Sequence, residues 1–188
     1  MTHNTPYYQY DLGLLEQTLE EVKSQASLHG YQIHYALKAN SNDQVLTTIR
    51  SHGFGADCVS GNEITKAIET GFDPSQIVFA GVGKSDAEIN TGLSQDIFCF
   101  NCESIHELEI INELAAEQNK VANIALRINP NVDAHTHEYI TTGLEENKFG
   151  INHWEFEQVI DILSKSSSLR CVGLHFHIGS QITDMDVF

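Results

Sequence analysis

The chain has 188 residues, 41% of them hydrophobic and 19% charged, the balance of a globular protein with a substantial core rather than of a disordered one. Its 10 basic and 26 acidic side chains leave a formal charge of −16, a surface that repels nucleic acid and anionic lipid and carries no basic patch to overcome that repulsion. No apolar run reaches membrane-span length, and the N-terminus, MTHNTPYYQYDLG, has neither a basic start nor an apolar signal segment, so a cytoplasmic location with no membrane or nucleic-acid partner is expected.

The aromatic alternation in TPYYQYD, residues 5–11, reads as a strand with no partner visible in this chain. An unpaired strand edge is a liability, so its partner is expected in sequence beyond this chain. Leu14, Leu15, Leu19 and Val22 then form a helical stripe. The apolar run Ile33–Leu37 predicts the first strand of a repeated unit. Further runs at Ala56–Val59, Ile77–Ala80, Ile97–Phe100, Ile124–Ile128 and Val172–Ile178 predict five more. Three helix starts share an S-x-x-E spacing, at Ser60/Glu63, Ser85/Glu88 and Ser104/Glu107, the signature of a capping box. Trp154, Val159, Ile160 and Leu163 give the stripe ahead of the sixth strand.

Strands alternating with helices at intervals of about 20 residues indicate parallel βαβ units. Six in a row suggest a (β/α) barrel rather than an open sheet. A closed barrel needs eight strands and typically about 250 residues. The fold class expected is therefore α/β, a (β/α)8 barrel truncated after about six units, with residues 1–188 a partial barrel domain. An open sheet is the alternative.

In such a barrel the chemistry lies at the carboxyl ends of the strands. Lys38 follows strand one, Asp57 lies in strand two, Arg127 nears the end of strand five, and His177-Ile178-Gly179-Ser180 closes strand six. A strand-end lysine can bind an aldehyde, a flat imidazole can stack, and turn N–H groups with a hydroxyl can hold a phosphate. Together the set suits an anionic aromatic cofactor. Each member has a plainer reading: Asp57 as a backbone acceptor at the barrel rim, Arg127 as a structural ion pair, His177 as a core histidine. Their convergence on one face sets them apart.

Three other patterns compete. Gly81-Val82-Gly83-Lys84-Ser85 imitates the end of a nucleotide-binding P-loop, but the pattern requires glycine where Val78 stands. Cys99 and Cys102 have the spacing of a redox or zinc pair without a second pair to complete a structural site, and read better as small buried hydrophobes. His175/His177 and His135/His137 each put two imidazoles on one strand face, as a zinc-dependent barrel hydrolase would. No separate acidic ligand accompanies them, so no metal is expected.

One resemblance runs from Thr5 to about Gln181. TPYYQYD, YALKAN, GFGADCVSGNEI, IVFAGVGKS, NCES, LRINPNVDAHTHEYITTGL, KFGI and GLHFHIGSQ occur in the order found in the diaminopimelate decarboxylases. These are pyridoxal-phosphate (PLP) enzymes of the alanine-racemase-like barrel fold. YALKAN and HIGS resemble the wider group, including ornithine and arginine decarboxylases; residues 129–143 look like the diaminopimelate branch.

The resemblance implies PLP as cofactor, with Lys38 as the Schiff-base lysine, His177 stacked on its ring and Ser180 on its phosphate. Asp57, Arg127 and Lys148 would complete the polar network. It implies decarboxylation of meso-2,6-diaminopimelate to L-lysine in lysine biosynthesis, by a homodimer with shared active sites. It also implies a C-terminal β domain, absent from this chain, against which residues 5–11 would pair. A chain lacking that domain is expected to be inactive. The same resemblance leaves open a related ornithine- or arginine-type decarboxylase and a non-catalytic PLP-binding protein.

Overall fold

The computed structural model describes residues 5–129 and 149–179. Six parallel strands form one sheet: β1 His34–Ala36, β2 Gly55–Cys58, β3 Ile77–Phe79, β4 Cys99–Cys102, β5 Ala122–Arg127 and β6 Leu169–His175. They pair in sequence order, each with the next. A parallel neighbour can be reached only by a crossover, and crossovers are right-handed, so an unbroken sequential order stacks every crossover helix on one face. That is the winding of a barrel wall and not of a doubly wound sheet.

Helix α1 spans Leu12–Leu28, α2 Asp43–Ser51, α3 Gly61–Thr70, α4 Asp86–Ser94, α5 Ile105–Glu117 and α6 Phe156–Lys165. The three S-x-x-E starts are helix N-termini, each using its glutamate differently. Ser60 Oγ accepts from the Glu63 N–H while Glu63 Oε2 reaches back to the Val59 N–H. Glu88 closes on the Ser85 N–H and also takes the Gly61 N–H, tying α4 to α3. Glu107 takes the Glu103 N–H. Helix α2 begins without that spacing: the Asn42 side chain caps Gln44 and Val45.

Period two divides each strand between the layers. Ala56 and Cys58 on β2, Ile77 and Phe79 on β3, Phe100 and Cys102 on β4, and Ile124 and Leu126 on β5 join the helix layer in one buried cluster. Leu46, Ile49, Ile64, Ile89, Leu108, Ile111 and Val159 supply its other side. The opposite face carries a row set by register, Ala36–Asp57–Val78–Cys99, with Asn101 beside Ala125 above it. Cys99 and Cys102 therefore point to opposite faces, as any i,i+3 pair in a strand must. Burial pushes the Cys99 thiol up to about 12 and Cys102 well above its ordinary value, the behaviour of apolar filling rather than of thiolate ligands.

Between β5 and β6 the register slips at Ile124/Ala125, so Cys171 faces Ile124 but Gly173 faces Ala125. The extra residue turns the rest of β6 over. His175 thereby sits beside Arg127 on the inner face; without the slip Leu174 would occupy that place.

Residues 5–11 carry no strand, and Tyr7, Tyr8 and Tyr10 are exposed. The strand expected there is to pair with sequence beyond this chain, and among the described residues it joins neither edge of the sheet. Leu174 and Phe176, on and just past β6, are exposed as well.

Phe79 is fully buried and its ring lies 6.1 Å from that of Phe100, the largest side chains at the centre of the cluster. Phe79→Ala is expected to cost about 3–5 kcal/mol, read as a lowered urea midpoint with an unchanged m-value.

Candidate active site

Parallel winding puts six strand ends at one edge of the sheet, and the chemistry-bearing residues gather there. Lys38 lies in a 3-10 turn, Leu37–Ala39, directly after β1. Buried Leu37 anchors that turn while the Lys38 side chain stays exposed. The Tyr35 hydroxyl donates to the Asn40 carbonyl at 3.3 Å and fastens the turn to its strand.

Asp57 projects from β2 on the inner face. Burial holds its carboxyl above the usual range, while the Lys38 and His177 charges pull the other way and Glu63 adds to the rise. Lys38 and His177, from two other segments, are thus each within electrostatic reach of Asp57. The Asp57 Oδ1 atom is buried with no hydrogen-bond partner among the described residues.

A second group adjoins the first. Arg127, the last residue of β5, donates from Nη1 to Glu103 Oε2 at 2.6 Å. The Phe149 ring centroid lies 5.9 Å from its guanidinium carbon. Gly150 follows with φ of 91°, and a Cβ there would come within 3.0 Å of the Arg127 carbonyl, so the close approach and the left-handed backbone both require glycine. Ile151 then donates to that carbonyl at 2.7 Å. His175 stands beside Arg127, its Nδ1 buried without a partner. Burial first, and then the Arg127 charge, lower its pKa; Glu103 opposes both. His177 acts on Asp57 and on His175, and so joins the two groups.

Sequence reasoning placed Glu107 only as a helix cap and did not single out Glu103 or the inward role of Lys84. Lys84 sits in the P-loop look-alike, but its ammonium turns inward onto the Gly81 and Asn101 carbonyls and Glu107, with its side chain 1% exposed. It has no donor left for a phosphate. The one usable signal was the acidic residue immediately before the Ser104 helix start.

Of the expected site residues, the structure brings Lys38, Asp57, Arg127 and His177 to one end of the sheet. Arg127 is paired with Glu103. Lys148 and Ser180 lie outside the described residues, as do His135 and His137. Among the described residues no three metal-ligating side chains converge. A groove of about 640 Å³ runs along Gly13, Glu16, Glu20 and His52. It lies against α1, away from the strand ends, and holds no such grouping.

The arrangement fits an anionic aromatic aldehyde. It offers an accessible amine, an imidazole beyond a strand end and a neighbouring guanidinium. It also carries two buried polar atoms, Asp57 Oδ1 and His175 Nδ1, that the described protein groups leave unsatisfied.

Comparison with known proteins agrees. The family model for the pyridoxal-binding domain of pyridoxal-dependent decarboxylases matches residues 12–188. The chain is 57% identical over its whole length to diaminopimelate decarboxylase of Bacteroides thetaiotaomicron, covering 49% of that protein. It is 45% identical to that of Helicobacter pylori, over 98% of this chain and 46% of the other. A crystal structure of a mutant H. pylori diaminopimelate decarboxylase complexed with L-lysine superposes with a TM-score of 0.90 at 44% identity, covering 99% of this chain and 47% of that one. The arginine decarboxylase of Paramecium bursaria Chlorella virus gives 0.71 at 25% identity, covering 92% and 44%. The chain thus spans about half the length of the relatives it matches. The match over residues 12–188, with six sequential parallel strands, establishes that this chain belongs to the pyridoxal-dependent decarboxylases and carries part of their pyridoxal-binding domain.

Proposed function

We propose that the chain carries the cofactor-binding part of a diaminopimelate decarboxylase, which converts meso-2,6-diaminopimelate to L-lysine and CO2. The observation that carries this reading is the meeting of Lys38, Asp57 and His177 at one end of the sheet, with Asp57 Oδ1 buried and unpartnered. The 57% identity to a diaminopimelate decarboxylase, against 25% to an arginine decarboxylase, favours this substrate. The whole protein would act in the cytoplasm as a homodimer, with residues 5–11 meeting a β domain. Its net charge of −16 disfavours nucleic acid.

Bound PLP supplies an electron sink for the pair released when a carboxylate leaves as CO2. The residues of this chain do the rest. Lys38 offers the attachment amine, held accessible by a turn whose own hydrophobe is buried. His177 presents a flat face, and Asp57 an acceptor, to the same space. Arg127 adds a fixed positive charge on the inner face at the end of β5. Ser180 for the phosphate, and Lys148 for the polar network, complete the proposal.

Borohydride reduction of the chain incubated with PLP, followed by peptide mass spectrometry, is expected to show a pyridoxyl adduct confined to Lys38 and lost in Lys38→Ala. Absence of the adduct in a chain extended to the length of its relatives would overturn the assignment.

Asp57 gives a second test through its raised carboxyl pKa. A carboxylate whose folded pKa lies above its unfolded value favours folding at low pH, and loses that contribution as pH rises through the folded value. Asp57→Asn removes the ionised form. The apoprotein variant is therefore expected to be more stable than wild type at pH 7–8, with the gap closing as pH falls toward about 4. Its PLP affinity should fall instead. Urea unfolding across pH, together with a PLP titration, reads both.

A further inference from the structure

Four largely buried charges, two of each sign, line the strand ends: Lys84, Glu107, Glu103 and Arg127. Their side chains are 1%, 12%, 5% and 11% exposed. Lys84 Nζ donates to Glu107 Oε1 at 2.6 Å, and Glu107 Oε2 takes the Glu103 backbone N–H at 2.7 Å. Glu103 Oε1 takes the Gly81 N–H at 3.2 Å, while the Gly81 carbonyl accepts from Lys84 at 2.8 Å. The bonds close a ring through the loop after β3, the end of β4 and the start of α5. Gly81, at φ 108°, presents its N–H and carbonyl to that ring from a backbone conformation that favours glycine.

Lys84 also donates to the Asn101 carbonyl at 2.8 Å, and one side-chain bond ties the ring to Arg127. Glu103 Oε2 receives Arg127 Nη1 at 2.6 Å. Phe149 flanks the same guanidinium. Burying four charges is a poor way to gain stability, since an apolar set of the same shape serves as well or better. Its placement is what distinguishes it. The ring fixes both the main chain and the carboxylate of Glu103, and that carboxylate fixes the guanidinium beside His175 and the proposed cofactor space.

We propose that Glu103 is a positioning residue for the PLP site. Seated by Lys84, Glu107 and Gly81, it sets the orientation of Arg127 and acts on the cofactor only through that guanidinium. This rests on the reading of the site given above. A scaffold that leaves its key side chain free to rotate loses pre-organisation, and supporting hydrogen bonds of this kind commonly change binding by about tenfold or more.

The test uses the full chain and two readouts. The Arg127 guanidinium is followed by ¹⁵N–¹H NMR in the apoprotein, where a held guanidinium shows slowed rotation. PLP affinity is followed by absorbance titration. In Glu103→Gln the Arg127 signal is expected to become mobile and PLP affinity to fall about tenfold, with Glu103→Asp restoring part of both. In an Arg127→Gln background, Glu103→Gln should change PLP affinity less than twofold, because a residue acting through a second has no effect once the second is gone.

Lys120→Gln is the control for plain destabilisation. Lys120 also ties separate segments together, donating to the Leu93 carbonyl and to Asp96, but it stands just before β5, at the amino-terminal side of the strand, and its loss should leave PLP affinity unchanged. An Arg127 signal equally held in wild type and Glu103→Gln would overturn the proposal. So would an unchanged PLP affinity in Glu103→Gln, or an undiminished Glu103→Gln effect in the Arg127→Gln background. PLP titrations are run on the chain extended to the length of its relatives; a wild-type form of that length that takes up no PLP would instead overturn the reading of the site, and the guanidinium signal would still decide whether Glu103 holds Arg127.

Discussion

A parallel strand cannot pair with its successor until the chain has crossed back over the sheet, and in this protein every described step obeys that constraint in the same direction. Sequential pairing puts all crossovers on one face, so the helices cover a single apolar layer and leave the other face to itself. It also aligns every carboxyl end at one edge. Lys38, Asp57, Glu103, Arg127 and His177 come from five segments spread over 140 residues, 38 to 177, yet they meet because each stands at or near the end of its strand. Helix capping serves the same end. The glutamates at 63 and 107 reach past the usual capping position to the last N–H groups of the preceding loops. They stiffen the turns from which the site is built.

The charges at that edge show a division of labour. Lys84, Glu107, Glu103 and Arg127 satisfy one another, and their formal charges cancel, so the low dielectric that would penalise any one alone strengthens the set. Asp57 and His175 are left without such partners. Burial raises the carboxyl pKa of the first and lowers the imidazole pKa of the second, so each is pushed toward its neutral form. A fold selected for stability alone would fill or pair those positions. Groups that the described residues leave unsatisfied, beside a set of paired charges, are where a ligand would complete the hydrogen bonding, the usual trade between stability and function.

Much of this was legible in the residues. The six strands and most of the helices follow from apolar period and from the S-x-x-E starts, because those patterns report burial and capping directly. What could not be read has physical causes. Helix α2 escaped because its N-cap is Asn42 and no glutamate follows at the capping-box distance. Residues 5–11 take no strand among the described residues, since alternation marks a segment that can pair, and the partner expected for it is sequence beyond this chain. Cys99 and Cys102 have a suggestive spacing, yet three residues along a strand always point to opposite faces. Glu103 stood in the quoted NCES motif, but its partners Gly81, Glu107 and Arg127 come from three other segments, and such meetings are set by tertiary packing.

The register slip in β6 shows the limit most clearly. In the residues alone, His175-Phe176-His177 places two histidines on one strand face, and nothing says which face. One extra residue on β6, Val172, opposite the step from Ile124 to Ala125, decides it. With the slip, His175 lies beside Arg127, and His177, two residues on, reaches Asp57 electrostatically. Without it, both histidines would enter the helix layer, and Leu174 and Phe176 would line the site. The bulge therefore converts an apolar mouth into one able to hold a polar ring. It also turns Leu174 outward, where it is 66% exposed, so the geometry that builds the site leaves an apolar side chain in solvent on the opposite face of the same strand.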